Sequence, residues 1–437
     1  MGHPRPSKGF HVMPYALPIL GNLQTMQSTF SANAAKYGAL WLRFPSFLFP
    51  ESMLHCESPE LVKQVLTQLD CDSAWPERWK KLLGMKSIVV ASGDSHKRLR
   101  ALSSQAIKKT KIQSSLPQLR MLAQDALTEI AMASSTCATG ISPLISVCQA
   151  FLVQLDLQFY DLFKELLILV NGLGDFFIPE WFPFSPIRKG LAARQKMMDV
   201  VLQVIQERRI QLQDETVASA MKDGLTSFLL SADASNDSAL SDEEIADTVI
   251  SMFFAGTETT ASSITTVIHV LLHEISSEEL DSLQQELSVY AFGQGPELLE
   301  LPILDALIKE TFRKYTTAPG GWRRLASDAE LDGIQLPKGT LFSVSYERGY
   351  AHVSPDAFKL GRFLGENAFD KIHPNEYIPF GAGPRMCLGQ NLARAEMKVF
   401  ISELIHGFDL KKGKTSKKQF LPTVMMEPFI KLSEKGF

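Results

Sequence analysis

Apolar residues recur at helical spacing along most of the chain, and clear strand-like alternation is scarce. LWLRF and SMLHC, near residues 40–56, predict two short strands, and SPELVKQVL after them predicts a helix. From there to about residue 315 the pattern stays mostly helical. It is punctuated at WPERW, at IPEWFPFSPIRKG and at the Ser/Asp-rich SADASNDSALSD (231–242). After residue 320 proline and glycine become frequent, and ELDGIQLPKGTLFSVSY predicts short strands before a last helix, NLARAEMKVFISELI. FLPTVMMEPFIKL predicts a small C-terminal hairpin, and no segment repeats. The expected fold class is mainly α: one large helix-rich domain, residues 1–437, with a minor β portion.

The most unusual predicted helix starts at Ser241. SDEE is a capping box, with Ser241 as N-cap and Glu244 three residues on. The run continues through IADTVISMFFAGTETTASSITTVIHVLLHEI to about Ile275, roughly 50 Å at 1.5 Å per residue. Residues 248–268 carry one charge, Glu258. A membrane span fits poorly, because Ser and Thr fill nearly half that window and the charge sits at its centre. A long helix buried inside a protein fits better. Gly256 in its middle costs about 1 kcal/mol against alanine, which is tolerable where something approaches the backbone closely. Thr257, Thr259 and Thr260 beside it offer hydroxyls to such a guest.

Composition narrows the function classes. A chain of 437 residues is long for one ordinary core, and 45% hydrophobic with 21% charged residues is normal for a soluble globular protein. A net charge of −4 gives no reason to expect nucleic-acid binding. MGHPRPSKGFHVMPYALPILGNL lacks a long apolar run, so neither a signal peptide nor a transmembrane anchor is expected in this chain. The five cysteines, Cys56, Cys71, Cys137, Cys148 and Cys387, are scattered and odd in number, which suits a reducing compartment and argues against a disulfide scaffold.

One cysteine stands apart. Cys387 lies in FGAGPRMCLG (380–389), a loop of glycine, proline and arginine just before the last predicted helix. Glu310-Thr-Phe-Arg313 lies earlier, in PILDALIKETFRKY; alone, such an i,i+3 pair reads as a surface ion pair worth a few tenths of a kcal/mol. Its place in a series changes that reading: AGTETT, then ExxR, then FKLGRF (358–363), then the cysteine loop.

With these motifs in this order, the sequence resembles the cytochrome P450 superfamily of heme-thiolate monooxygenases. The loop matches FxxGxRxCxG at Phe380, Gly383, Arg385, Cys387 and Gly389, and AGTETT matches the oxygen-activation motif. Arg362 stands where the family completes a Glu–Arg–Arg cluster, although Leu360 and Gly361 replace the usual Pro and Glu. GDSHKRLRAL (93–102) resembles the family's C-helix segment, and LPILGNL (17–23) its proline-rich entry.

The resemblance implies heme b (iron protoporphyrin IX) with Cys387 as the metal ligand, since a thiolate pushes electron density onto heme iron. It implies Phe380 beside the heme, Gly383 and Gly389 shaping the loop and turning N–H groups to the sulfur, and Arg385, His96, Arg100 and Arg323 as propionate partners, with Arg324 an alternative to Arg323. It places Ala255 and Gly256 where dioxygen needs room. Thr259 becomes a hydroxyl donor to activated oxygen and Glu258 a proton relay, the catalytic pair. Glu310, Arg313 and Arg362 become a buried structural cluster. The pocket would be lined by about Trp75–Val90, Leu173–Phe184, Ile250–Ala255 and Val424–Met426, all rich in apolar side chains.

The function implied is insertion of one oxygen atom from O2 into an apolar small molecule, with a lean to sterol, terpenoid or retinoid from MKSIVVASGDSHKRLR. Two alternatives stay open: an O2-independent heme-thiolate isomerase or dehydratase, and a heme protein that binds a ligand without turnover. The intact threonine and unexpanded cysteine loop favour oxygen activation. Electrons would come from an external flavoprotein reductase or ferredoxin, docking on a basic face of Lys97, Arg98, Lys108, Lys109, Lys111, Arg394 and Lys398. A monomer that binds no nucleic acid is expected, intracellular and soluble as it stands, and peripheral at the endoplasmic reticulum membrane if a native anchor was removed. DFFIPEWFPF (175–184) is either a membrane-dipping loop or a gating loop.

Overall fold

The computed structural model describes residues 11–12, 39–43, 52–56, 58–134, 139–140, 161–173, 180–211, 213, 240–289, 296–346, 357–412, 417–419, 425–427 and 429–435. The strands are β1 (His11–Val12), β2 (Ala39–Arg43), β3 (Ser52–Cys56), β4 (Cys71–Ser73), β5 (Thr139–Gly140), β6 (Gly320–Leu325), β7 (Ala329–Leu331), β8 (Ile334–Leu336), β9 (Leu341–Ser345), β10 (Phe408–Lys412), β11 (Lys417–Gln419), β12 (Met425–Glu427) and β13 (Phe429–Glu434). The helices are α1 (Pro59–Lys63), α2 (Glu77–Leu83), α3 (Gly93–Ala106), α4 (Lys109–Ser134), α5 (Asp161–Leu173), α6 (Pro186–Gln211), α7 (Asp242–His273), α8 (Ser277–Val289), α9 (Pro302–Lys314), α10 (Phe369–Ile372) and α11 (Gln390–Gly407). Two compact units divide them: Met1–Lys80, Ala318–Pro355 and Phe369–Cys387 make the first, and Lys81–Thr317, Asp356–Ala368 and Leu388–Phe437 the second.

The first unit is built on a mixed sheet in the order β1-β2-β3-β9-β6-β4. Leu54, Cys56, Phe342 and Val344 from the sheet pack with Leu61, Val62, Val65 and Leu66 in one buried cluster. Ser58 caps α1, accepting from the Leu61 N–H, and Pro59 sits in the first turn. The expected helix here changes character part-way: residues Gln64–Gln68 form a π-helical turn. β7 and β8 pair through the two-residue turn Asp332-Gly333, both at positive φ (50° and 76°), the geometry that right-twisted hairpins need. Strand β6, GGWRRL, lacks alternation in sequence; it is held from both sides by β9 and β4. Gly320 is required there, since a Cβ would lie 2.3 Å from the Val344 carbonyl oxygen.

The second unit is helical. The capping box at Ser241 forms as expected, with Glu244 answering the Ser241 N–H, and α7 runs from Asp242 to His273. Three of its buried hydroxyls are satisfied within the helix: Thr257 donates to the Phe253 carbonyl at 2.7 Å, Thr265 to Ala261 and Thr266 to Ser262, each at 2.8 Å. Such back-bonding lets a Ser/Thr-rich helix lie in a core, although the Thr248 hydroxyl has no partner among the described residues. Helices α5 and α6 approach closely where Gly172 and Gly190 face each other, a Cβ on Gly172 coming within 3.3 Å of the Gly190 Cα.

The predicted C-terminal hairpin is corrected: β13 pairs antiparallel with β10 and β5, while β12 pairs with β11. Glu427 and Phe429, one residue apart, leave no room for a hairpin turn between β12 and β13, so each finds another partner. The proline-rich entry at 17–23, most of 231–242 and the cysteines Cys137 and Cys148 lie outside the described residues. No described helix is long and apolar enough to cross a membrane.

Candidate active site

The cysteine turn belongs to the first unit. Gly381 and Gly383 adopt positive φ (71° and 70°), folding the chain back so that the Cys387 N–H reaches the Phe380 carbonyl at 2.9 Å and the Met386 N–H that of Gly383 at 3.0 Å. Gly383 is doubly constrained, because a Cβ would lie 1.9 Å from the Leu66 carbonyl oxygen in the π-helical turn. Gly381, not singled out in the sequence, does comparable conformational work beside the Tyr346 ring. Cys387 is exposed, whereas Cys56 is buried and its thiol is pushed up to about 12 by burial first and then by Cys71. Gly389 has a φ of −85°, open to any residue, and stands as N-cap to α11.

Strand alternation separates the two neighbouring arginines. Arg323 is buried, with its guanidinium on the Trp322 carbonyl at 2.9 Å and the Tyr346 hydroxyl at 3.2 Å. Tyr346 also lies against Gly381 of the cysteine turn, where a Cβ would sit 3.5 Å from the phenol oxygen. Arg324 points away, to the Gly339 carbonyl at 3.1 Å. Arg385 has an acidic neighbour that no sequence motif announces, Asp72 at 3.6 Å. Trp322 completes an aromatic cluster with Trp75 and Trp79, ring centroids 5.4–5.8 Å apart.

In the second unit, α7 carries Ala255, Gly256, Glu258 and Thr259 on its less buried stretch, between fully buried runs on either side. Thr259 donates to the Ala255 carbonyl at 2.7 Å. Glu258 is held above the usual carboxylate range by burial. Of the three threonines expected to serve a guest, two are engaged elsewhere. Thr257 is fully buried on its own helix, and Thr260 is buried with its hydroxyl bonded to Glu396 of α11. Helix α3 carries His96, buried rather than solvated, and Arg100 one turn on, half-buried.

Glu310 is completely buried and receives Arg313 at 2.7 and 2.9 Å, Arg362 at 3.2 Å and the Lys359 N–H at 3.0 Å. Both guanidinium groups also bond the Ala357 carbonyl at 3.2 Å. The surface-pair reading of this motif therefore does not apply. Leu360 and Gly361 form the 3-10 turn that carries Arg362 into place, so the departure from the family's usual Pro and Glu leaves the cluster intact.

The expected basic face is thinner than predicted. Lys97, Lys108 and Lys109 are exposed, but Lys398 is buried, its ammonium on Asp305 at 2.8 Å and on the Leu299 carbonyl at 2.7 Å. Arg98 pairs with Glu244 at 2.5 Å. Trp181, Phe182 and Phe184 form an exposed aromatic group, 77%, 43% and 74% accessible.

A family model for cytochrome P450 matches residues 6–432. The chain belongs to the cytochrome P450 family. It is 28% identical over 430 residues to Cytochrome P450 26B1 of Xenopus tropicalis, covering 93% of this chain and 82% of the relative. It is 28% identical to Putative cytochrome P450 120 of Synechocystis sp., covering 77% and 76%. The solved structure titled "Retinoic acid bound cyanobacterial CYP120A1" superposes with a TM-score of 0.80 at 23% identity over 96% of this chain and 98% of that one, which shows the shared, mainly helical fold. As a cytochrome P450 the chain is a monooxygenase, and its cofactor is heme b. The donor set fits that group: an exposed thiol on a backbone-closed turn is a soft ligand suited to iron, and Arg323 is a cation already buried.

Proposed function

We propose that residues 1–437 work as one heme-thiolate domain that inserts an oxygen atom from O2 into an apolar small molecule, with retinoids the favoured class among sterols, terpenoids and retinoids. The observation that carries the reaction type is the cysteine turn, closed by the Cys387-to-Phe380 bond at 2.9 Å and immovable at Gly383. Support for the substrate class comes from the retinoic acid bound in the solved relative of the same fold.

When bound through the Cys387 thiolate, heme b supplies the redox chemistry of oxygen activation. Phe380 flanks the sulfur, and Arg385, Arg323, His96 and Arg100 hold the propionates. Arg323 takes this part rather than Arg324, because it is Arg323 that is buried beside Tyr346 and the cysteine turn, while Arg324 serves Gly339. Ala255 and Gly256 keep side-chain bulk away from the reacting oxygen. Glu258, raised by burial, carries a proton more readily near neutral pH than a solvated glutamate, and Thr259 presents a hydroxyl at the next residue. An external flavoprotein reductase or ferredoxin supplies electrons through Lys97, Lys108 and Lys109, without Lys398. The aromatic group at Trp181, Phe182 and Phe184 suits peripheral contact with a membrane surface.

The test is a titration of the heme-loaded protein with all-trans-retinoic acid, a sterol, a monoterpenoid and a fatty acid, read as the heme spectral shift. A spectral shift with retinoic acid at the lowest concentration, followed by a product heavier by one oxygen, is expected. A shift with sterol or fatty acid and none with retinoic acid would contradict the retinoid assignment.

A further inference from the structure

Helix α11 buries a second glutamate that the function described so far does not use. Glu396 is 5% exposed, and its carboxylate receives the hydroxyl of Thr260 from α7. Its other oxygen, Oε1, has no hydrogen-bond partner among the described residues. A buried carboxylate with one neutral donor is poorly compensated, and such a group keeps its proton. Thr260 lies directly after Glu258 and Thr259, so Glu396 touches the turn that the monooxygenase reading depends on.

Thr260 has one hydroxyl and two ways to use it. With Glu396 ionised, the hydroxyl donates to the carboxylate. With Glu396 protonated, the acid O–H donates to the Thr260 oxygen, and the threonine proton turns to another acceptor. The neighbouring pattern names that acceptor, since Thr257 and Thr259 donate to the carbonyls four residues back. For Thr260 that carbonyl belongs to Gly256. We propose that Glu396 is a positioning residue for the oxygen-handling turn of α7, its protonation state choosing the direction of the Thr260 hydroxyl and so the engagement of the Gly256 carbonyl. The inference rests on the monooxygenase reading.

The surroundings leave Glu396 to titrate on its own. Facing α11, Arg120 of α4 is paired with Glu403, and Glu286 of α8 takes the Ile303 and Leu304 N–H groups. Glu300, at the end of a separate 3-10 turn (Pro296–Glu300), is paired with Lys109, and Asp305 of α9 with Lys309 and Lys398. Glu310 and Arg313 of α9 satisfy each other, and α7 and β10, which also pack on α11, carry Glu258, Asp409 and Lys411. None of these acts on Glu396: burial raises its pKa to about 8, against the opposing Thr260 bond.

Two measurements on the heme-loaded protein test the inference. Infrared difference spectra of wild type against Glu396→Gln are expected to show a protonated-carboxyl band at pH 6 that is lost with a midpoint near 8. Its absence at pH 6 would overturn the inference. The C–O stretch of the reduced carbonyl adduct is then followed with pH in wild type, Glu396→Gln and Thr260→Val. A shift through the same midpoint in wild type, absent from both variants, is expected; a shift shared by all three, or by none, would overturn it. A thiolate-type carbonyl spectrum in all three with that negative outcome leaves the monooxygenase reading standing, whereas loss of the thiolate spectrum from wild type removes both.

Discussion

Two buried glutamates in the same unit are treated in opposite ways. Glu310 is met by two guanidinium groups and a backbone N–H, and its arginines are satisfied in turn by the Ala357 carbonyl. Glu396 is met by one threonine hydroxyl, with an oxygen left unpartnered among the described residues. Full compensation makes a carboxylate a structural pin. Near-absence of compensation makes it an acid that trades its proton near neutral pH. The first locks α9 to the segment carrying Arg362; the second sits under the turn where proton handling is needed.

The same substitution at the two positions is expected to act with opposite sign. Glu310→Gln or Glu310→Ala strands the buried guanidinium of Arg313 and the partly buried one of Arg362, and should cost roughly 3–5 kcal/mol. Expression and heme content should collapse, and a stable, fully loaded variant would refute the pinning role.

A smaller and purely functional loss is expected one residue before Thr260. Thr259→Val exchanges a hydroxyl for a methyl of nearly equal size, so folding and heme binding should be kept. Product formed per NADPH should fall about 100-fold, the low end of what a positioned proton-handling group contributes, with hydrogen peroxide rising in its place. Unchanged coupling would remove Thr259 from the reaction.

The effect of opposite sign belongs to Glu396→Gln, which is stabilising once the pH passes the ordinary carboxylate value. The folded pKa of about 8 lies above the ordinary 4.5, so between these values the folded chain keeps a proton that the unfolded chain has released. Wild-type stability therefore falls as pH rises through that window and levels off above it, while the glutamine variant shows no such fall. The shift from 4.5 to about 8 corresponds to at most about 5 kcal/mol, reached only above the folded pKa. Urea midpoints for both proteins at pH 5 and pH 9 measure it, and parallel behaviour of the two proteins would refute the raised pKa.

The difference between the two glutamates also marks how far the sequence could be read. ExxR and the third arginine lie in recognisable motifs, so the Glu310 cluster is legible before its geometry is known. The long α7 is legible as well, because its capping box and apolar run are local signals. Glu396 lies in plain helical pattern, and only packing shows that it meets Thr260. Lys398 misleads for the same reason: a lysine on an amphipathic helix reads as solvated until Asp305 is found beside it. Strand β6 escapes a reading of its own residues because its pairing partners specify it. The Asp72 neighbour of Arg385 likewise depends on a contact across more than half the chain.

The central claim is that Cys387 is the thiolate ligand of the heme, and the reduced carbonyl spectrum tests it most directly. Wild type, Cys56→Ser and Cys71→Ser should show the strongly red-shifted Soret band of thiolate ligation, and Cys387→Ser should lose it while remaining folded. Retention of that band in Cys387→Ser would contradict the account.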